Sequence, residues 1–273
     1  MKTKGSVIIL GANADIGRNI CKMFQADGYR VLGTFRRDFP EHDELVALEG
    51  ITLFRCDLSQ ADEIRRLAEV ACEQQFEWTT LFSSVGTSEP IGRFFDLDFD
   101  DWKRSIEINF TAQLRAVHAL YPCRDKTRIV DIALLAGGGT NNPFRCYSAY
   151  CAAKIGLIKM CELIDDEVDD VNIFIIGPGF VKTKTHFETI RAGAKAETNL
   201  DRVRQFLESS DSGTKFEDIY KCLQWSRSAG RQVVGGRNLS VVHDPWGTAP
   251  LAEKLRNDPN MFKLRRFRNE DSK

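Results

Sequence analysis

Tyr150 and Lys154 stand four residues apart in the run CYSAYCAAK, a spacing that brings both side chains to one face of a helix. An ammonium held near a phenol stabilises the phenolate and draws its pKa down from a reference value of about 10. Such a pair can exchange a proton with a carbonyl and its alcohol. The spacing alone is common on helix surfaces, so its meaning depends on what surrounds it.

A second group could hold a phosphate. In ILGANADIGRNI, Gly11 and Gly17 lie six apart, after an apolar run and at the start of a helical stretch. A sharp turn at Gly11 lets the backbone approach a pyrophosphate, and the helix N–H groups and dipole favour its charge. Asp15 occupies the place of a middle glycine. Its carboxylate would repel a diphosphate unless it turns into the helix start and caps free N–H groups. An ordinary strand–turn–helix is the alternative.

The end of the next apolar run reads TFRRD. NAD binders place an acid there for the adenine ribose hydroxyls, whereas this chain has Phe35 followed by Arg36 and Arg37. A guanidinium suits a 2′-phosphate through paired charge-assisted hydrogen bonds, which favours NADP(H) over NAD(H). Solvated loop arginines are the other reading.

These groups need a scaffold, and the chain supplies a repeating one. Apolar runs at 7–10, 29–35, 51–56, 78–85, 128–134, 172–176 and 238–243 read as strands. Amphipathic stretches between them read as helices, among them 15–27 and the tyrosine-bearing 147–168. Alternation of this kind predicts an α/β fold with a doubly wound parallel sheet covered on both faces. Residues 1–273 are expected to form one domain, with the polar segment 182–236 inserted as a substrate-covering lid.

The bulk composition excludes several classes. With 42% hydrophobic and 28% charged residues, the 273-residue chain is ordinary for a globular protein. A net charge of −1 gives no pull toward nucleic acid or an anionic membrane. The opening SVIIL is too short for a signal peptide or a membrane span and fits a buried strand. Eight scattered cysteines, without a C-x-x-C, predict buried thiols in a reducing, cytoplasmic setting rather than disulfides or zinc. The four histidines are far apart, so no metal site is expected; His118, on an apolar helix, reads as a core or interface residue. The basic tail KLRRFRNEDSK, with Phe262, Leu264 and Phe267 nearby, could pack on a neighbouring subunit.

Taken together, Gly11 and Gly17, CDL at 56–58, SSVG at 83–86, Asn109 in INF, YCAAK and GPGFVKT at 177–183 follow the order and spacing of the short-chain dehydrogenase/reductase family. The resemblance covers roughly residues 5–185. It implies strand order 3-2-1-4-5-6-7 and a Rossmann-type NAD(P)-dependent oxidoreductase that assembles as a homodimer or homotetramer. Tyr150 would be the acid/base and Lys154 would tune it and hold the nicotinamide ribose, with Asn109 supporting a water relay. The cofactor would rest on Gly11, Asn13, Asp15, Ile16, Gly17 and Arg36 at the phosphates. Asp57 and Leu58 would meet the adenine, and Val85 and Gly86 the adenosine ribose. Pro178, Gly179, Val181 and Thr183 would surround the nicotinamide.

Two departures matter. SSVG replaces the family's Asn-Asn-Ala-Gly, and the catalytic serine that normally ends the fifth strand is absent. Residues 131–139 read DIALLAGGG, so Leu134 or Ala136 takes its place. Losing one oriented donor costs about 3–4 kcal/mol, or two to three decades in rate. Thr140, Ser83, Ser84, a backbone N–H of the glycine run or the substrate's own hydroxyls could substitute. Basic residues of the lid, in VKTKTH with Arg191 and Lys195, would suit an anionic substrate or simply be solvated. The expectation is an oxidoreductase of a small polar, anionic or sugar-like carbonyl compound, using NADPH. The rival is an NADP(H)-binding sensor or partner subunit without turnover.

Overall fold

The computed structural model describes residues 3–137, 142–210 and 213–266. Seven parallel strands make one sheet: β1 (Ser6–Leu10), β2 (Arg30–Phe35), β3 (Ile51–Arg55), β4 (Trp78–Ser83), β5 (Val130–Leu135), β6 (Val171–Gly177) and β7 (Asn238–Ser240). Their order is β3-β2-β1-β4-β5-β6-β7, as the family resemblance implies. The helices described are α1 (Asp15–Ala26), α2 (His42–Val46), α3 (Ala61–Glu73), α4 (Phe99–Ile106), α5 (Ala112–Leu120) and α6 (Ser148–Glu167) in the first two thirds. After β6 come α7 (His186–Ala192), α8 (Thr198–Glu208), α9 (Phe216–Ala229), α10 (Arg231–Val234) and α11 (Ala249–Asn257).

Strand alternation sorts the core into two layers. Ile8 and Leu10 of β1 face α3, α5 and α6, where Leu67, Ala116 and Leu157 are buried. Val7 and Ile9 face the other way, toward Ile20 and Phe24 of α1 and Ile219 and Leu223 of α9. A sheet buried on both faces explains why its strands read as unbroken apolar runs. Within 182–236, α9 belongs to this second core layer, with Ile219, Cys222 and Leu223 buried.

Two strands end earlier than their apolar runs. After Ser83, the chain leaves the sheet and Val85 and Gly86 line a cleft. After Ser240, it turns back: Asp244 accepts from the Ser240 N–H at 2.6 Å, and Trp246 Nε1 donates to the Val241 carbonyl at 2.9 Å.

The cysteine expectation needs correction. Cys72 and Cys123 form a disulfide that ties α3 to the chain following α5. They are 51 residues apart in sequence but are brought together because α3 and α5 pack side by side. Cys21, Cys56, Cys161 and Cys222 are buried thiols. His118 is exposed on α5 and takes no part in the core, because the apolar face of that helix is formed by Ala112, Ala116 and Leu120. No helix among the described residues is long and apolar enough to cross a membrane.

Candidate active site

The carboxyl ends of β1, β2 and β4 open onto a cleft of about 980 Å³, at the switch point where open α/β sheets take ligands. Gly11, Asn13, Arg36, Asp57, Leu58, Val85 and Gly86 all line it. The turn after β1 is fastened to β2, with the Gly11 N–H donating to Thr34 Oγ1 at 3.1 Å and the Ala12 N–H to the Thr34 carbonyl at 2.7 Å. Gly11 has φ +86°, in the region that favours glycine.

Gly17 is held still more tightly. A Cβ there would lie 2.2 Å from the Gly11 carbonyl oxygen and 2.4 Å from Ser84 Oγ. Gly17→Ala is therefore expected to destabilise the fold by about 1–3 kcal/mol and to distort the turn, read as a lower Tm together with weaker dinucleotide binding. An unchanged melting curve would show that the turn gives way easily.

Asp15 does not cap α1, whose N-terminus has no side-chain cap. Its carboxylate instead accepts from Arg18 at 3.0 Å and from the Lys184 backbone N–H at 2.7 Å. The reason is local: the segment after β6 crosses close enough to offer an N–H, and Arg18 one turn on supplies a cation. The carboxylate is thereby engaged away from the helix N–H groups. Ile16 and Gly17 lie on the same first turn, with Gly17 buried. Arg36 and Arg37 are exposed at the cleft wall. Asp57 shapes its own turn, accepting from Ser59 N and Ser59 Oγ at 3.0 and 2.8 Å.

The groups with acid–base chemistry do not line this cleft but stand behind Gly86 of its wall. Tyr150 and Lys154 are both on α6, and Lys154 Nζ is 5.8 Å from the Tyr150 ring centroid. Lys154 is buried and donates to the Leu135 carbonyl at 2.9 Å and, at 3.4 Å, to that of Val85. Asn109 lies in a π-helical turn, Glu107–Thr111, between α4 and α5. Its amide donates to the Thr87 and Ser105 carbonyls at 2.8 and 3.0 Å, and its Oδ1 accepts from the Thr87 N–H at 3.0 Å. Gly86 joins these groups: a Cβ there would lie 3.0 Å from Asn109 Oδ1 and 3.6 Å from Lys154 Nζ.

The electrostatics differ from the sequence expectation. Burial pushes the Tyr150 phenol up to about 12, reinforced by Cys151 and Glu188 and opposed by the Gly137 backbone N–H. Burial also lowers the Lys154 amine to about 7. Lys154 is buried and Tyr150 half-buried, and the amine bonds to carbonyls rather than to the phenol oxygen. The phenol is thus held protonated instead of being drawn toward phenolate.

The depressed amine has a consequence for stability. Between pH 7 and the unfolded lysine value near 10.4, the unfolded chain binds the proton and the folded chain does not, so stability rises with pH in that window. Through this group the protein without cofactor should be about 1 kcal/mol more stable at pH 8 than at pH 7. Lys154→Met should remove that increment in paired denaturant melts. If wild type and variant change equally between the two pH values, the amine is ordinary.

Around the nicotinamide positions, Gly179 has φ +76°, and a Cβ there would meet Val242 Cγ2 at 2.5 Å. Val181 bridges to Gly213, and Thr183 accepts from the His186 N–H at 3.2 Å. Pro178 lies 3.7 Å from the Cβ position of Gly137. Of the candidates for the missing donor, Ser83 is buried and given to Gln113 Oε1 at 2.7 Å. Ser84 is given to the Leu10 and Gly11 carbonyls at 3.2 and 3.0 Å. Thr140 lies outside the described residues. Leu134 and Ala136 are both buried.

The motifs missed a group supplied by α7. Glu188 accepts from the Ser88 N–H at 2.6 Å and from Thr87 Oγ1 at 3.2 Å, and Thr189 Oγ1 meets Tyr147 Oη at 2.7 Å. The only sequence signal was the position of Thr87 and Ser88 directly after SSVG.

A parallel sheet in this order, with bare glycines at the first turn and a cleft at the switch point, defines a dinucleotide-binding α/β protein. A family profile described as short chain dehydrogenase matches residues 5–192. The nodulation protein G of Rhizobium sp. (strain N33) is 28% identical over 188 residues, covering 66% of this chain and 75% of that protein. Benzil reductase ((S)-benzoin forming) of Bacillus subtilis (strain 168) is 25% identical, covering 74% and 85%. A solved short chain dehydrogenase/reductase from Saccharomyces cerevisiae superposes with a TM-score of 0.79 at 19% identity, covering 95% of this chain and all of that one. The chain belongs to the short chain dehydrogenase family and is an oxidoreductase of that family, whose members use NAD(P).

Proposed function

We propose that the protein is an NADP(H)-dependent oxidoreductase that interconverts a carbonyl and an alcohol on a small polar substrate, either anionic or sugar-like, with Tyr150 as the acid/base. The observation that carries this reading is the convergence of Tyr150, Lys154 and Asn109 where the chain leaves β4 and β5. The cleft fits the cofactor: glycines leave the first turn bare, and Arg36 stands where a 2′-phosphate would be neutralised. Gly11, Asn13, Ile16, Gly17, Asp57, Leu58, Val85 and Gly86 would hold the adenosine and diphosphate. Pro178, Gly179, Val181 and Thr183 would hold the nicotinamide. When bound, NADPH supplies hydride.

The protein's own part is proton delivery and placement. A phenol held protonated suits donation to a developing alkoxide, so reduction is the favoured direction. Lys154 orients the ribose, and Asn109 keeps the adjoining backbone in place for a water relay. The segment of α7 and α8 acts as the lid, closing the site through Glu188 and Thr189. The named activity of the Bacillus relative is also a reduction, which supports the direction. Assembly as a homodimer or homotetramer belongs to this reading and is supported by Ile155 and Leu163, exposed on α6. So does a cytoplasmic location, which the buried thiols Cys21 and Cys161 favour and the Cys72–Cys123 disulfide opposes.

The absence of a serine at Leu134 and Ala136 favours the rival reading, a cofactor-binding sensor. Titrating NADPH by fluorescence and then screening carbonyl compounds for NADPH oxidation, with Tyr150→Phe as control, separates the two. Oxidation that depends on Tyr150 supports the enzyme; binding with no Tyr150-dependent oxidation supports the sensor.

A further inference from the structure

The cleft wall in front of Tyr150 contains a carboxylate that none of the cofactor or proton-transfer roles uses. Glu188 is only partly exposed, lines the cleft, and is fixed by Ser88 and Thr87. Thr87 is in turn bonded to Asn109, whose Oδ1 and the Lys154 amine flank Gly86. Glu188 is thus connected to the proton-transfer group through two side chains and one loop, and its charge is felt at the Tyr150 phenol.

A carboxylate has acceptor sites for about four hydrogen bonds, and the two protein donors leave part of that capacity for a ligand. The cations at this end are already engaged or peripheral. Arg191 pairs with Glu89 at 3.1 Å and Arg104 with Asp101 at 2.6 Å. Lys195 is exposed, and Lys154 is committed to backbone carbonyls. A phosphate or carboxylate brought against Glu188 would meet a like charge in a partly desolvated wall, whereas a hydroxyl or ammonium would find an acceptor.

We propose that Glu188 selects the substrate, accepting a hydrogen bond from a hydroxyl or ammonium group of the carbonyl compound and excluding anionic compounds. This rests on the oxidoreductase reading above and narrows its substrate class to neutral polyhydroxylated or amino-bearing carbonyl compounds. Glu188 is a specificity residue and takes no part in hydride or proton transfer.

The test uses the full chain saturated with NADPH and three probes: xylitol as a neutral polyol, ethanolamine as an amino alcohol, and malonate as an anion. Binding is read from the fluorescence of bound NADPH. Xylitol or ethanolamine should bind saturably and about tenfold or more tightly than malonate. Glu188→Gln keeps the shape and one acceptor. It should weaken xylitol and ethanolamine about tenfold while malonate binds more tightly than to wild type. That gain cannot come from a damaged fold. The proposal is overturned if malonate binds wild type as tightly as the other two, if neither xylitol nor ethanolamine binds, or if Glu188→Gln weakens all three in parallel, the mark of a mere brace. A chain that binds no NADPH defeats the oxidoreductase reading and takes this proposal with it; NADPH binding with Tyr150-dependent turnover but no selectivity defeats this proposal alone.

Discussion

Tyr150→Phe is expected to lower kcat for carbonyl reduction by about two to four orders of magnitude while leaving NADPH affinity within about twofold of wild type. The ring and its packing remain, so the only loss is an O–H that acts as a proton leaves it. Such a loss lowers kcat and kcat/KM together, because the interaction is made in the transition state. The phenol is pushed up to about 12 by burial, so it stays protonated across the neutral range. The rate of reduction should show no fall near neutrality that Tyr150→Phe abolishes. Steady-state kinetics over pH 6–9, with a parallel NADPH titration, check both statements. A variant that retains full kcat would remove the phenol from the reaction.

Arg36→Ala is expected to weaken NADPH about 10- to 100-fold and NADH about twofold or less. Only NADPH carries the 2′-phosphate that a guanidinium can grip with two parallel hydrogen bonds. Arg36 is exposed, so the loss should shrink as salt is raised, since screening acts on pairs in contact with water. Fluorescence titrations of both dinucleotides at low and moderate ionic strength measure the effect. Equal weakening of NADPH and NADH would mean that Arg36 does not read the phosphate. Arg37, beside it on the cleft wall, then becomes the side chain to replace.

The central strands were legible because β1, β4, β5 and β6 are buried on both faces and read as apolar runs, whereas their order was implied only by the family resemblance. The ends of β4 and β7 were less so: Val85 and Val241 are apolar yet leave the sheet, and only the turns that follow show it. The turn at Gly11 could be anticipated from strand–turn–helix context, whereas its close contact with Gly17, which leaves no room for a side chain, could not. The state of Tyr150 could not. Spacing along a helix places the phenol and amine on one face but says nothing of how much water reaches them, and burial sets both pKa values. Asp15 found partners 3 and 169 residues away. Glu188 reaches across 100 residues to Ser88 from a seven-residue helix too short to show a pattern. Pairing of Cys72 with Cys123 likewise depends on how α3 meets α5, which no local motif encodes.

Transfer of isotope provides the most direct test of hydride exchange governed by Tyr150. The full chain would be incubated with NADPH deuterated at the reactive carbon and a panel of hydroxylated aldehydes and ketones, and the alcohol products examined by mass spectrometry. Deuterium should appear on the former carbonyl carbon with wild type and fall at least about a hundredfold with Tyr150→Phe. Saturable NADPH binding with no deuterium in any product, or equal labelling by the two proteins, would contradict it.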